Sequence, residues 1–250
     1  MIDLSNRVAL ITGGSRGIGA ACVKLFIQAG CKVAFTYKQA KDEAGKLAAQ
    51  FNPADVLAVK ADMESEKEIN ECIEQTIKKF GKIDILVHNA GIWNDGTIDK
   101  MTLEHWEELM KVNLTSNFLL VKAVLPYMKE KKFGRIINIS STAGQRGEAF
   151  HSHYAASKGG MISFTKSLAV ELAPYNITTN SVAPGWVDTE LNTEVFADAE
   201  FKENARKGIP VGRIPLAEDI AGPVLFLASD LAKHINGEIL NVNGGSVLCG

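Results

Sequence analysis

The chain has 250 residues, 46% of them hydrophobic and 22% charged, with a formal net charge of −2. This composition supplies a large core and excludes a disordered chain, and its near-neutral balance gives no pull toward nucleic acid or an anionic membrane. Cys22, Cys31, Cys72 and Cys249 form no CxxC and no metal spacing, no apolar run reaches membrane-spanning length, and no secretory signal precedes the first strand. These cysteines read as reduced thiols of a cytoplasmic protein.

The first apolar run, at 8–12, reads as a buried strand. Gly13, Gly14, Gly17 and Gly19 come directly after it, then a helix over 17–29 capped by Gly30. Strand, glycine loop and helix form a dinucleotide-binding turn. Glycine permits the tight turn and the close approach of backbone, and the helix N-terminus attracts a pyrophosphate. The spacing here is GxxxGxG.

Further strands are predicted at 32–37, 55–60, 83–88, 135–140, 178–183 and 238–242, alternating with helices at 40–51, 65–80, 102–130, 154–173 and 217–229. The alternation predicts an α/β fold, a doubly wound parallel sheet of about seven strands with helices on both faces and strand order 3-2-1-4-5-6-7, in one domain over 1–250. Residues 189–212 break the rhythm with mixed polarity and no strand. A long insertion near the C-terminal strand ends is a candidate lid over a substrate cleft.

The second chemical signal is NISS at 138–141 together with HYAASK at 153–158. Residues four apart share a helix face, so Tyr154 and Lys158 point the same way. A free tyrosine titrates near ~10, and a neighbouring ammonium lowers that value. With the Ser141 hydroxyl to polarise a carbonyl, the trio is a proton donor for alcohol/ketone interconversion.

TGGSRGIG at 12–19, HNAG at 88–91, Asn113 in KVNL, Ser141, Tyr154/Lys158 and PGWVDT at 184–189 occur in an order and spacing that cover nearly the whole chain. In these motifs the chain resembles the short-chain dehydrogenase/reductase family, and within it the 3-oxoacyl-(acyl carrier protein) reductases. The resemblance implies a Rossmann fold and an NADPH-dependent reduction of a ketone to a secondary alcohol, with a 3-oxoacyl thioester as one candidate substrate. Tyr154 would transfer the proton, Lys158 would lower its pKa and hold the nicotinamide ribose, Ser141 would bond the carbonyl oxygen, and Asn113 would support a water linking Lys158 to solvent. The implied cofactor-binding set is Gly13, Ser15, Arg16, Gly17, Ile18 and Gly19 in the loop, Tyr37 and Lys38 after the second strand, Asp62 and Met63 after the third, Asn89, Ala90 and Gly91 after the fourth, Pro184, Gly185, Val187 and Thr189 after the sixth, and Tyr154 and Lys158 themselves. His88 stands where the family pattern usually has asparagine.

The second strand ends Thr36-Tyr37-Lys38 without an acid, and Arg16 lies in the loop. Two cations without a carboxylate point to the 2′-phosphate of NADP. His151 and His153 have no third ligand pairing in sequence, so no metal is expected, and they read as cleft wall or exposed loop. Trp93 and Trp186 border the cleft or pack. The basic EKKFGR at 130–135 is a candidate contact for acyl carrier protein, whereas Tyr175-Asn176 lacks the second basic residue that carrier-protein reductases often have there. Neither nucleic acid nor membrane is expected as a partner. The family implies a homotetramer or homodimer, joined through the helices at 102–130 and 154–173. The alternatives are an alcohol, sugar or steroid-type dehydrogenase with the same chemistry, or a nucleotide-sensing binding protein without turnover.

Overall fold

The computed structural model describes residues 2–249, so Met1 and Gly250, the ends of the expected 1–250 domain, lie outside the described residues. Seven parallel strands form one sheet: β1 Val8–Ile11, β2 Lys32–Tyr37, β3 Val56–Lys60, β4 Ile85–His88, β5 Gly134–Ile139, β6 Ile177–Pro184 and β7 Ile239–Val242. Their order is β3-β2-β1-β4-β5-β6-β7, as the sequence pattern predicts. The central strands are buried along their whole length, which their continuous apolar runs require of a sheet covered on both faces.

Between β1 and β2 runs α1 Gly17–Gln28, while α2 Lys41–Ala48 comes after β2 and α3 Glu66–Phe80 after β3. The Ser65 hydroxyl accepts the Glu68 N–H at the start of α3, and left-handed Gly81 stops it. After β4 come α4 Leu103–Met110 and α5 Ser116–Lys131, and after β5 come α6 Ala143–Arg146 and α7 Ser152–Leu172. The short helices α8 Thr193–Phe196 and α9 Ala199–Lys207 precede α10 Ala217–Ala228. Phe26 of α1, Leu47 of α2 and Val224 of α10 pack on one face of the sheet. Ile69 of α3, Leu120 and Val124 of α5 and Leu168 of α7 pack on the other.

The helix expected over 102–130 is interrupted. Residues Lys111–Thr115 form a π-turn, closed by the Ser116 N–H on the Lys111 carbonyl. The Ser116 hydroxyl also donates to the Val112 carbonyl at 2.6 Å. The extra residue changes the rotational phase of α5 relative to α4, and turns of this kind concentrate at functional sites. The segment 189–212 contains no strand but is largely helical, holding a 3₁₀ turn at Glu190–Asn192, then α8 and α9.

Candidate functional site

The strand order reverses between β1 and β4, and the C-terminal ends of the strands there open into a cleft of about 1080 Å³. Short polar side chains fix its floor. The Thr36 hydroxyl accepts the Gly13 N–H at 3.1 Å, and the Thr36 carbonyl accepts the Gly14 N–H at 2.8 Å. The Thr12 hydroxyl accepts the N–H groups of Asn89 and Ala90, each at 3.0 Å. Asn89 Nδ2 donates to the carbonyls of Thr12 at 3.0 Å and Gly13 at 3.1 Å. Gly13 and Gly17 hold φ of +63° and +54°, a region that favours glycine. Arg16 precedes α1 in extended conformation and contributes no side-chain cap, so the first N–H groups of the helix face the cleft loop without one.

Of the residues assigned to cofactor or catalysis, all but two line this cleft. Gly19 does not. It is buried, and a Cβ there would overlap the Gly13 carbonyl oxygen and stand 2.6 Å from Asn89 Nδ2. Its function is to let the loop, α1 and the end of β4 close on one another. Gly19→Ala is therefore expected to cost about 1–3 kcal/mol in a urea melt and to weaken dinucleotide binding, because it displaces the loop. A variant as stable and as tight-binding as the parent would remove this packing constraint.

Asn113 is the second exception. It is fully buried in the π-turn. Its Oδ1 accepts the Ile92 N–H at 2.8 Å, and its Nδ2 donates to the Ile92 carbonyl at 3.0 Å and to Ser157 Oγ at 3.2 Å. Ser157 Oγ in turn donates to the Tyr154 carbonyl at 2.8 Å. The side chain expected to support a water is thus committed to tying the loop after β4 to α7.

Tyr154 and Lys158 lie on α7, and Ser141 lies just past β5. The Lys158 ammonium donates to the Ile139 carbonyl at 2.8 Å and sits 5.7 Å from the centre of the Tyr154 ring. A Cβ on Gly144 would stand 2.5 Å from the Lys158 carbonyl carbon, so only glycine lets α6 cross α7 this closely. That crossing brings Ser141 to Tyr154. The expected lowering of the tyrosine pKa by Lys158 is not what the structure gives. Burial pushes Tyr154 up to about 12, with the Ser141 hydroxyl pulling it down and Glu148 adding to the rise. Burial also brings Lys158 down to about 8. The ammonium spends its short bond on a backbone carbonyl, which leaves desolvation as the dominant influence on both groups.

His88 is fully buried, with Nε2 2.9 Å from Ser116 Oγ. Because Ser116 donates its own proton to Val112, His88 Nε2 is the donor in this pair. Burial, aided by Lys158, depresses the imidazole to about 3, so it stays neutral and pins the end of β4 to the π-turn.

Lys38 is not free. Its ammonium is 2.8 Å from Asp62 and 2.7 Å from Glu64. Sequence reasoning missed Glu64 and Glu43: Glu64 is brought in by the pairing of β2 with β3, and Glu43 comes from α2. Thr12 and Thr36, which stand in the motifs at 12–19 and 36–38, act here by holding the backbone of the glycine loop and of the end of β4. Trp93 and Trp186 line the cleft; Trp93 stacks on His151 at 4.3 Å, and Trp186 meets Phe196 and Phe201 of the 189–212 segment at 5.9 and 5.4 Å. His153 is buried against Asn94 rather than forming cleft wall or exposed loop. Arg135 is 2% exposed, so the exposed cations of the 130–135 segment are Lys131 and Lys132, beside exposed Glu130. Among the described residues, no group of three or more His, Cys, Asp or Glu side chains is arranged to hold a metal. No described helix is long and apolar enough to cross a membrane.

A family profile described as enoyl-(acyl carrier protein) reductase matches residues 13–246. The chain is 42% identical to a 3-oxoacyl-[acyl-carrier-protein] reductase of Aquifex aeolicus over 247 residues, 98% of each chain. It is 44% identical to the Haemophilus influenzae protein of the same name over 250 residues, 98% of this chain and 100% of that one. The crystal structure of gox2181 superposes with a TM-score of 0.92 at 33% identity, over 98% of this chain and 96% of that one. Similarity of this extent, on one fold and across nearly every residue, makes the chain a member of the short-chain dehydrogenase/reductase family, an oxidoreductase of ketone and secondary-alcohol groups.

Proposed function

We propose that this protein is a cytoplasmic NADPH-dependent reductase that converts a 3-oxoacyl thioester, carried on acyl carrier protein, to the 3-hydroxyacyl thioester. The observation that carries the reading is the convergence of Ser141, Tyr154 and Lys158 on a cleft that also contains the glycine loop. The curated relatives, whose names specify 3-oxoacyl groups on acyl carrier protein, support the substrate. The loop and the open N-terminus of α1 fit a pyrophosphate, and Arg16, exposed and without an ion pair among the described residues, fits a 2′-phosphate. When bound, the nicotinamide supplies a hydride. Ser141 orients the substrate carbonyl by donating to its oxygen, and Tyr154 gives that oxygen a proton. Lys158 stabilises the resulting phenolate. A hydroxyl held near 12 is protonated throughout the neutral range, which suits a donor for reduction better than a base for alcohol oxidation.

The test is oxidation of NADPH and NADH by the purified protein against acetoacetyl thioesters, simple ketones, sugars and cyclic ketones. The reading expects NADPH with acetoacetyl thioester to give the highest kcat/KM. A preference for a sugar or a cyclic ketone would move the substrate to the alternative dehydrogenase class, and tight dinucleotide binding without turnover on any of them would favour a sensor.

The same reading takes the chain as one domain and assigns residues 189–212 to a lid over the substrate. Helix α9 has no buried residue, and the segment attaches mainly through Phe196 and Phe201 packed on Trp186 and through buried Asn192 and Ile209. So few buried contacts make local opening inexpensive. Hydrogen exchange is expected to be faster in 189–212 than in the sheet, and to slow there when NADPH and product are added. Strong protection in both states would make the segment a fixed part of the fold. Association as a dimer or tetramer is assigned to α5 and α7, which expose Phe118 and Val170, and sedimentation measures it.

A further inference from the structure

The end of the cleft expected to hold the adenosine ribose is more acidic than the strand tip alone indicates. Arg16 and Lys38 are its cations, but Glu43, Asp62 and Glu64 line the same end. Parallel pairing of β2 with β3 sets Tyr37 opposite Lys60, so the residues just beyond each strand face one another. Lys38 thereby meets Asp62 at 2.8 Å and Glu64 at 2.7 Å. Asp62 is further fixed by accepting the Glu64 N–H at 3.0 Å, while the Asp62 N–H is donated to Glu68 at 2.8 Å. Asp62 is therefore built into its turn, and Glu64 holds Lys38 by an exposed side chain alone. The hydrogen bond that Lys38 donates to Asp62, then the one it donates to Glu64, raises the Lys38 pKa above its ordinary value, so the ammonium remains charged at every working pH.

We propose that Glu64 is a cofactor-selectivity residue, competing with a 2′-phosphate for the Lys38 ammonium. The inference rests on the proposed binding of a dinucleotide in this cleft. An ammonium has three donors, and two are spent on carboxylates. A 2′-phosphate entering beside Arg16 must either draw Lys38 off Glu64 or accept its single remaining donor with a carboxylate close by. A cofactor with a free 2′-hydroxyl leaves the Lys38–Asp62–Glu64 cluster as it stands. Glu64 therefore weakens NADP binding selectively and holds the preference for NADPH below what Arg16 and Lys38 would set by themselves.

The test is binding rather than turnover. Dissociation constants for NADP⁺, NAD⁺ and 2′,5′-ADP are measured by calorimetry at low salt on the full chain, for the parent, Glu64→Gln, Lys38→Gln and the double variant. Lys38 and Glu64 are surface residues, with side-chain exposures of 50% and 31%, so all four proteins are expected to fold. Exposed pairs of this kind are worth a few tenths to one kcal/mol, so Glu64→Gln is expected to tighten NADP⁺ and 2′,5′-ADP by roughly two- to fivefold and to leave NAD⁺ unchanged. In the Lys38→Gln background most of that gain should vanish, because there is no ammonium left to release. An unchanged NADP⁺/NAD⁺ ratio in Glu64→Gln overturns the proposal. So does weaker NADP⁺ binding, which would mean that Glu64 positions Lys38 for the phosphate. A gain that persists in full without Lys38 also overturns it, since Glu64 would then act by direct repulsion. If the parent binds none of the three nucleotides, the dinucleotide reading fails with it, an outcome distinct from binding with an unaltered ratio.

Discussion

Tyr154→Phe is expected to lower kcat by about 10²–10⁴-fold while leaving the dissociation constant for NADPH within a few-fold of the parent. The ring remains to pack between α7 and the cleft, and the hydroxyl that would protonate the substrate oxygen is gone. Stability should change little, because the ring and its packing stay and only the hydroxyl bonded to Ser141 at the cleft is lost. The pH profile of the parent sharpens the test. Tyr154 is held up to about 12, so it is protonated through the neutral range and contributes no inflection below about pH 10. Lys158 is brought down to about 8, so the reductive rate should be flat at lower pH and fall as the ammonium loses its proton. Steady-state rates at saturating cofactor measure both effects. Near-parental turnover in the Phe variant would take Tyr154 out of the chemistry.

The parts of this fold that could be read from sequence are those dictated locally. A buried run at Val8–Ile11 that breaks into Gly13, Gly14 and Gly17 has few structural solutions, and the spacing of Tyr154 and Lys158 places both on one face of any helix. The features that could not be read depend on partners distant along the chain. The π-turn at Lys111–Thr115 differs from an α-helix by one residue per turn, and its periodicity is too short to register. It is held by Ser116 and by His88, which comes from β4. Arg135 looks like the end of a solvated basic run. Yet it is the second residue of β5, stacks on Phe133, donates to the Gly134 carbonyl and is covered. Lys38 shows the same dependence. Its charge is visible in sequence, but the two carboxylates that occupy it arrive through the pairing of β2 with β3.

Lys158→Met separates what this lysine does for chemistry from what it costs the fold. Loss of the cation is expected to weaken cofactor binding and to depress turnover strongly, because the phenolate form of Tyr154 loses its counter-charge. Stability should move differently. In the folded chain Lys158 is 4% exposed and titrates near 8; in the unfolded chain it titrates near ~10.4. Between these values the unfolded state binds more protons than the folded one, so the contribution of this group to stability rises with pH. The cost of burying the ammonium is fully present below about pH 8 and has vanished above about pH 10.4. Between about pH 7 and pH 9.5 the parent should therefore gain roughly 2 kcal/mol relative to Lys158→Met, with groups common to both proteins cancelling. The difference is the quantity to track, because the methionine also leaves the Ile139 carbonyl without its donor, a penalty of about 1–3 kcal/mol that does not depend on pH. Urea melts of both proteins at the two pH values give it directly. A pH-independent difference would mean that the Lys158 ammonium is as well solvated in the fold as in water, and its placement beneath Tyr154 would then have to be explained without a buried charge.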